Sequence, residues 1–367
     1  MGTPGLELAG VSSSDASKVH ADWPAIPVVS DPQMLFNDPS IDLIVIPTPN
    51  DTHFPLAQSA LAAGKHVVVD KPFTVTLSQA NALKEHADDA GLLLSVFHNR
   101  RWDSDFLTLK TLLAEGSLGN VVYFESHFDR YRPEIRQRWR EQAGAGGGIW
   151  YDLGPHLLDQ ALQLFGLPET LNVDLGMLRP GSQSVDYFHA VLSYPGQRVV
   201  LHSTVLAAAE TARYIVHGTQ GSYIKFGVDP QEDRLKAGER LPQADWGYDM
   251  RDGIVTLSHD NVLTEKPLLT LPGNYPAYYA GIRDAIWGTA PNPVPATEAI
   301  KVMELIELGI ASDQQKKHCR SLLKIDVYPA LMGRSKGGNI SLGTISVAQS
   351  FFIFLKTNHW FKAELLV

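Results

Sequence analysis

Cysteine is almost absent from this 367-residue chain, which contains only Cys319. A single cysteine cannot form an intramolecular disulfide, and it cannot supply the several thiolates of a structural zinc site. We therefore expect a reducing, cytoplasmic environment. The opening MGTPGLELAG lacks the basic and apolar stretches of a signal peptide, and the apolar run VAQSFFIFL is too short to span a bilayer. No membrane partner is predicted.

An excess of basic residues is also lacking, because 31 lysines and arginines face 40 aspartates and glutamates, for a net charge of −9. Proteins that bind nucleic-acid backbones usually show the opposite balance, so no nucleic-acid partner is expected. P-loop, HExxH and paired-histidine metal motifs are missing from the sequence. His189, His202 and His217 fall on separate predicted strands, where a structural role is commoner than metal ligation. We predict no metal site.

The first hundred residues alternate strand and helix patterns. Strands are predicted at LELAGVSSS, IDLIVIPTPN, KHVVVDKP and LLLSVFHN, and the intervening HFPLAQSALAAG has helical spacing that ends at Gly64. This alternation predicts an α/β fold with a doubly wound parallel sheet. Ligands bind at the carboxyl ends of such strands, which here are the polar residues 12–14, 48–50, 70–72 and 98–99.

From about residue 119 the pattern changes to strands joined by short turns, including VVYFESHFDRYR, DYFHAVLSYP and RVVLHSTVLAAA. Short connections favour antiparallel pairing, so we predict a second, α+β domain with a large, mostly antiparallel open sheet. The predicted domains cover residues 1–118 and 119–316. Residues 317–367 form an atypical basic tail, and the sequence leaves open whether it is loosely ordered or packs as an edge element.

The segment YDLGPHLLDQ predicts a helix that begins near Leu153 or Gly154, because Pro155 is tolerated in a first turn. Asp152 and His156 are four residues apart and share one side of it. In one interpretation Asp152 is an N-cap and His156 lies on a solvated face. In the other, both point into a cleft. There the helix N-terminus disfavours the imidazolium and the carboxylate favours it, so His156 exchanges protons near neutral pH.

Lys71 lies between Asp70 and Pro72 at the end of the strand KHVVVD. A lysine at a strand end commonly reaches for water, but this strand end is also a ligand position in an α/β crevice. Pro72 restricts the backbone of Lys71 to extended geometry, which fixes the direction of its side chain. An ammonium there can stabilise the alkoxide that develops as a hydride departs. Lys71 and His156 together suggest proton handling beside a redox cofactor.

Two more segments invite a functional interpretation. The run GAGGGI, residues 144–149, follows the charged RQRWREQ rather than a strand, so it is predicted to be a turn and not a dinucleotide loop. Arg138, Trp139 and Arg140 are compatible with a substrate entrance, although a basic helix face is the commoner arrangement.

Taken together, these motifs resemble the Gfo/Idh/MocA (glucose–fructose oxidoreductase/inositol dehydrogenase) family. VVVDKPFT resembles its Glu-Lys-Pro signature, and GIWYDLGPHLLD resembles its second signature, an aspartate and a histidine four apart on a helix. TPNDTHFPLAQSALAAGKHV is similar to the family segment between cofactor and crevice. FHNRRWDSDFLTLK most resembles the NADP-dependent scyllo-inositol dehydrogenases and their bacterial relatives. The resemblance covers roughly residues 1 to 315.

The resemblance implies a Rossmann domain, a second domain on an open sheet, and a homodimer or homotetramer. It implies reversible hydride transfer between NAD(P) and a polyol or sugar. Lys71 would polarise the substrate oxygen, His156 would be the general acid/base, and Asp152 would orient the substrate or tune His156. The residues implied to lie along the cofactor are Ser12, Ser13, Thr48, Pro49, Asn50, His53, Asp70, Lys71, Pro72 and Asn99.

Several positions depart from the family pattern. Asp70 replaces the usual glutamate, and Ser12 and Ser13 stand where NAD-preferring members carry an acid, which favours NADP with NAD as the alternative. The family's first strand and glycine-rich turn are not found, so an N-terminal truncation without the first βα unit is expected. The tail after residue 316 does not resemble the family.

These departures leave alternatives to an active dehydrogenase. One is a non-catalytic or inactive member that binds cofactor or sugar. An NAD-dependent glycosidase or dehydratase on the same fold also stays open.

Overall fold

The computed structural model describes residues 3–239, 245–320 and 352–357. Its elements up to residue 114 are β1 (Leu6–Ser12), α1 (Ala16–Asp22), β2 (Val28–Val29), α2 (Gln33–Phe36), β3 (Leu43–Ile46), α3 (Asn50–Ala62), β4 (His66–Val69), α4 (Leu77–Ala90), β5 (Leu94–Val96) and α5 (Ser104–Ala114). The later elements are β6 (Val121–His127), α6 (Gly148–Asp152), α7 (Gly154–Phe165), β7 (Thr170–Gly176), β8 (Tyr187–Tyr194), β9 (Gln197–Thr204), β10 (Ala212–Gly218), β11 (Gly221–Phe226), α8 (Gln231–Lys236), β12 (Gly253–His259), β13 (Val262–Leu268), α9 (Pro276–Ile286), α10 (Ala296–Gln315), β14 (Cys319–Arg320) and β15 (Phe352–Thr357).

The first sheet has six strands in the order β2-β1-β15-β3-β4-β5. β3 and β4 are fully apolar or nearly so and bury their side chains on both faces, as strands do when helices cover both sides of a sheet. β1 and β2, β3 and β4, and β4 and β5 pair in parallel. The predicted doubly wound α/β domain is thus confirmed. Gly64 follows α3 with a φ of 75°, which confirms the predicted end of that helix.

The centre of this sheet differs from the prediction. In the common doubly wound order 3-2-1-4-5-6, the first strand lies in the middle. Here β15 lies in that position and runs antiparallel to both neighbours, with Phe352 opposite Ser12 and Leu355 opposite both Leu8 and Leu43. Residues 352–357 of the tail are therefore central, not at an edge. The rest of the tail, residues 321–351 and 358–367, lies outside the described residues.

The second sheet has nine strands in the order β13-β12-β11-β10-β6-β9-β8-β7-β14. Among the strands that the structure describes in this sheet, only β6 and β9 pair in parallel, which confirms the mostly antiparallel open sheet. One face packs on α7 and α10, where Leu157 and Ile306 join Phe188 and Tyr214 in a common core. The short strand β14 is an edge element of this sheet.

Helices late in the chain return to the first domain. Tyr278 of α9 and Met303 of α10 belong to the core of the six-stranded sheet, whereas Val302 and Ile306 of α10 belong to the core of the nine-stranded sheet. α10 is therefore shared by both cores. The predicted division at residues 118 and 316 stays a prediction. None of the helices described is long and apolar enough to cross a membrane.

Candidate active site

A crevice with a cavity volume of about 550 Å³ lies where the ends of β4 and β5 face α6 and α7. Five of the predicted site residues line it together: Asp70, Lys71, Asn99, Asp152 and His156. Asp70 directly follows β4 and Asn99 lies three residues after the end of β5, while Asp152 and His156 come from the other domain. The crevice thus unites the two sequence motifs, which are about eighty residues apart.

Lys71 is held in this crevice by hydrogen bonds to Asp152 of the second domain. Its Nζ donates hydrogen bonds to the main-chain oxygen (2.7 Å) and to Oδ1 (2.9 Å) of Asp152. Its backbone N–H donates to Oδ1 of Asp70 at 2.7 Å, and its peptide bond to Pro72 is cis. An ammonium has three donors, so one remains for a ligand. With 12% of its side chain exposed, Lys71 is not a lysine that reaches for water.

Asp152 is the last residue of α6, and Leu153 rather than Asp152 precedes the first turn of α7. The N-cap interpretation of Asp152 is therefore wrong. Burial alone would raise the pKa of Asp152, but the charges of Lys71 and Arg140 and the hydrogen bond from Lys71 hold it well below its usual value. The Nε of Arg140 lies 3.5 Å from the same Oδ1. Asp152 is consequently an ionised anchor for two cations.

His156 is 5% exposed, so the interpretation as part of a solvated face is wrong. Burial, followed by the positive charges of Lys71 and Arg100, holds its pKa well below the usual value. The sequence predicted a pKa of His156 near neutrality, set by the helix N-terminus and the carboxylate of Asp152. This prediction is wrong, because burial and nearby cations dominate and lower the pKa. Nδ1 of His156 is buried without a hydrogen-bond partner among the described residues. His156 also lines the crevice, and a neutral imidazole is suited to accept a proton from a ligand.

The buried, neutral state of His156 predicts a pH dependence of stability. In the unfolded chain a histidine binds a proton below about pH 6.5, whereas the folded site resists protonation, so the unfolded state binds more protons as the pH falls. The resulting stability is complete above about pH 6.5 and is lost below it, by up to about 1.4 kcal/mol per pH unit. Urea unfolding of His156→Gln should show a shallower loss between about pH 6.5 and pH 5 than the unchanged chain. His217→Gln, at an exposed position, is the control, and equal slopes for all three proteins would contradict the expectation.

The other predicted cofactor residues lie along the same edge of the first sheet but do not line the crevice. They are Ser12 and Ser13 at the end of β1, Thr48, Pro49, Asn50 and His53 at the start of α3, and Pro72 after β4. Ser12 and Ser13 are both buried. The hydroxyl of Ser13 accepts a hydrogen bond from the backbone of Asp15, the N-cap of α1. Whether these residues contact a cofactor stays a prediction.

His53 and Asn50 join parts of the scaffold. The ring nitrogens of the fully buried His53 lie 2.8 Å from the oxygen of Pro72 and 2.9 Å from that of Thr48, so they connect the ends of two strands. Asn50 donates to the oxygen of Gly146 at 2.8 Å. Gly146 has a φ of 79°, and its close contact with Asn50 leaves little room for a side chain. Residues 144–147 of the glycine run form a turn, as predicted, whereas Gly148 and Ile149 already belong to α6. The turn ties α3 to the segment before α6.

The residues in the crevice suit the reactive end of a nicotinamide nucleotide. The imidazole of His156, the third donor of Lys71 and the amide of Asn99 offer polar groups at a strand-end crevice. The pyrophosphate of such a nucleotide is usually bound by a glycine-rich turn between a strand and a helix. β1 leads through residues 13–15 into α1, and no glycine-rich turn between strand and helix occurs in the described part of the first sheet.

Several residues of the crevice escaped prediction. Arg130 and Arg132 line it beside Arg138 and Arg140, which supports the substrate-entrance interpretation of the latter two. The spaced arginines of DRYRPEIRQRWR were the available signal. Tyr279 comes from α9, over 120 residues away from His156, and no local pattern marked it.

A histidine–carboxylate cluster lies outside the crevice, at the ends of β6 and β9. Nδ1 of His202 is 2.9 Å from Asp129, and Nδ1 of His127 is 3.2 Å from both Asp129 and Nδ1 of His202. The three groups have the chemistry and proximity to hold a metal ion. The sequence missed this arrangement because the register of β6 and β9 brings the two histidines opposite each other.

Comparison with known proteins is consistent with this geometry. The doubly wound sheet with a crevice at its strand ends is the architecture of an NAD(P)-dependent oxidoreductase. Residues 1–98 match the family model for the NAD-binding Rossmann fold of the GFO/IDH/MocA oxidoreductases, and residues 110–320 match the C-terminal alpha/beta domain of that family. The chain belongs to the Gfo/Idh/MocA oxidoreductase family.

Relatives agree with this assignment along most of the chain. The uncharacterised oxidoreductase YdgJ of Escherichia coli is 71% identical over 86% of this chain and 91% of its own. The scyllo-inositol 2-dehydrogenase (NADP(+)) IolW of Bacillus subtilis is 38% identical over 85% of this chain and 87% of its own. A solved oxidoreductase structure from Yersinia pestis is 97% identical, covers 89% of this chain and 92% of its own, and superposes with a TM-score of 0.86.

Proposed function

We propose that this protein transfers a hydride between NADP and a CH–OH group of a polyol or sugar of the inositol type. The observation that carries the proposal is the crevice at the ends of parallel strands, which is lined by Lys71, held by Asp152, and by the neutral His156. The 38% identity to an NADP-dependent scyllo-inositol dehydrogenase supports the choice of cofactor and substrate class.

Each residue has a definable task in this proposal. Bound NADP would supply the hydride acceptor or donor. Lys71 would direct its third N–H to the reacting oxygen and stabilise negative charge there. The imidazole of His156 would take up the hydroxyl proton in oxidation and return it in reduction. Asp152 would hold Lys71 in place, and Asp70 and Asn99 would position the nicotinamide end.

The serines at the end of β1 support NADP over NAD. An acidic residue at this position would bind the ribose hydroxyls and repel a 2′-phosphate. Ser12 and Ser13 are uncharged, and Lys18 lies on the adjoining helix α1. NAD is the alternative cofactor.

A spectrophotometric assay tests the proposed function. The purified chain is mixed with NADP+ or NAD+ and with scyllo-inositol, myo-inositol or aldoses, and the absorbance of reduced nicotinamide is followed. We expect growth of this absorbance with NADP+ and at least one polyol or sugar. Failure with every combination, although calorimetry shows that the nucleotide binds, would contradict the proposal.

A non-catalytic, ligand-binding role is the second candidate, and one observation favours it. The central position of a doubly wound sheet normally carries the phosphate-binding turn, and β15 lies there with the opposite direction. Phe352, the first residue of β15, lies opposite Ser12 at the crevice end of the sheet. Calorimetric binding of nucleotide or sugar without turnover would support this role.

We further propose that the protein works in the cytoplasm, takes a small molecule as its partner and forms a homodimer or homotetramer. The open face of the nine-stranded sheet is the candidate interface, and it carries exposed apolar side chains such as Val122 and Ile254. Elution as a monomer in size-exclusion chromatography would count against the assembly.

A further inference from the structure

The walls of the crevice are strongly cationic. Seven lysine and arginine residues line it against three carboxylates, although the protein as a whole has a net charge of −9. A neutral polyol does not need this concentration of positive charge. A local field of one sign in a cleft attracts ligands of the opposite charge.

Most of these cations already have partners. Lys71 and Arg140 share Asp152, Arg138 donates to Glu141 at 2.7 Å, and Arg100 contacts Glu232. In contrast, the guanidinium groups of Arg130 and Arg132 have no hydrogen-bond or ion-pair partner within residues 3–239, 245–320 and 352–357. Burial lowers the pKa of Arg130, and so does the charge of Arg100, despite the opposing effect of Asp152.

The backbone fixes these two arginines in a common direction. The N–H of Arg130 donates to the oxygen of Thr204 at 2.9 Å, and that of Arg132 donates to the oxygen of Val205 at 2.7 Å. Side chains two apart in an extended segment point the same way. Tyr131, between them, is 60% exposed, while both arginines line the crevice.

We propose that Arg130 and Arg132 form a subsite for an anionic group on the substrate. This inference rests on the proposed function and narrows its substrate class from neutral polyols to sugars or polyols that carry a carboxylate or a phosphate. A guanidinium presents paired N–H donors that match the oxygens of either group.

The subsite is connected to the proton-handling residues. Arg140 lies beside the same arginines in the wall of the crevice, and its Nε is 3.5 Å from Asp152, which binds Lys71 at 2.9 Å. A substrate anchored by its charged group at the arginines would therefore extend along this wall, with a hydroxyl toward Lys71 and His156. The charged group sets the orientation and the hydroxyl reacts.

Isothermal titration calorimetry at low salt, in the presence of NADP+, tests the subsite. The probes are D-glucose, D-glucuronate and D-glucose 6-phosphate, which separate a carboxylate from a phosphate. At least one charged sugar should bind about tenfold or more tightly than glucose, since a charge-assisted contact is worth that much. The double variant Arg130→Met/Arg132→Met should lose most of this preference. Arg136→Met removes the same charge from an exposed position in the same segment and should keep it.

Three outcomes would overturn the inference. In the first, glucose binds as tightly as both charged sugars. In the second, the preference survives in the double variant. In the third, the double variant weakens the binding of NADP+ by the same factor as that of the sugar, which would assign the arginines to the phosphates of the cofactor. Preferred binding of a charged sugar without any nicotinamide reduction would instead count against the proposed function and leave the subsite standing.

Discussion

Replacing Lys71 with alanine should lower kcat by about a hundredfold to a thousandfold, the usual effect of removing a donor that stabilises charge in a transition state. The variant loses both hydrogen bonds to Asp152 and the third donor, which is the group directed at the reacting oxygen in the proposed mechanism. KM should change much less than kcat. Initial rates of nicotinamide reduction at several substrate concentrations separate the two parameters.

The controls distinguish a chemical role from a structural one. Lys84→Ala removes a lysine from an ion pair with Asp88 on the surface of α4 and should keep the full rate. Added methylamine should partly restore the Lys71→Ala variant, because a small ammonium fits the vacated position. A variant that retains activity within tenfold of the unchanged chain would refute the assignment of Lys71.

Ending the chain after residue 320 should severely destabilise the first domain. β15 is paired with β1 on one side and β3 on the other, so its removal leaves two rows of backbone N–H and C=O groups unpaired in the middle of a sheet. Each unpaired buried group costs about 1–3 kcal/mol. Several such groups together match the total stability of a typical domain, about 5–15 kcal/mol. Urea unfolding followed by circular dichroism would show a lower midpoint or the loss of a cooperative transition.

Two matched changes locate this effect in the strand itself. A chain that ends after Thr357 retains every described strand pair and should unfold at the midpoint of the full chain. Leu355→Pro should imitate the long truncation, because Leu355 lies opposite both Leu8 and Leu43 and proline cannot donate to the ladder. If the chain of 320 residues unfolds at an unchanged urea concentration, β15 does not contribute to the stability of the sheet.

Local periodicity made the general architecture predictable. Apolar runs such as the one before Lys71, alternating with helical patterns, identify a parallel sheet, and its strand ends identify the crevice. The spacing of Asp152 and His156 predicted that both face that crevice from one helix, whereas the structure places them on the neighbouring helices α6 and α7. What spacing could not determine was their environment. His156 is buried, and the ionised Asp152 binds Lys71 at a strand end that is eighty residues earlier in the chain.

The remaining features depend on contacts between distant segments. The arginines at 130 and 132 point into the crevice because the end of β9 holds their backbone, which no local pattern reveals. His127 and His202 meet through the register of two parallel strands. The position of β15 was also beyond sequence reasoning, because an apolar segment near the end of a chain can pair with any sheet that has an open position.

The sharing of α10 by both cores has a consequence for substrate selection. Met303 and Val302, adjacent in the chain, are buried in different cores, so the domains cannot swing apart without exposing apolar surface on both sides of the helix. We therefore expect the width of the crevice to change little when a ligand binds. Such a crevice would select ligands by their size and charge, and no binding free energy would be needed to close the domains.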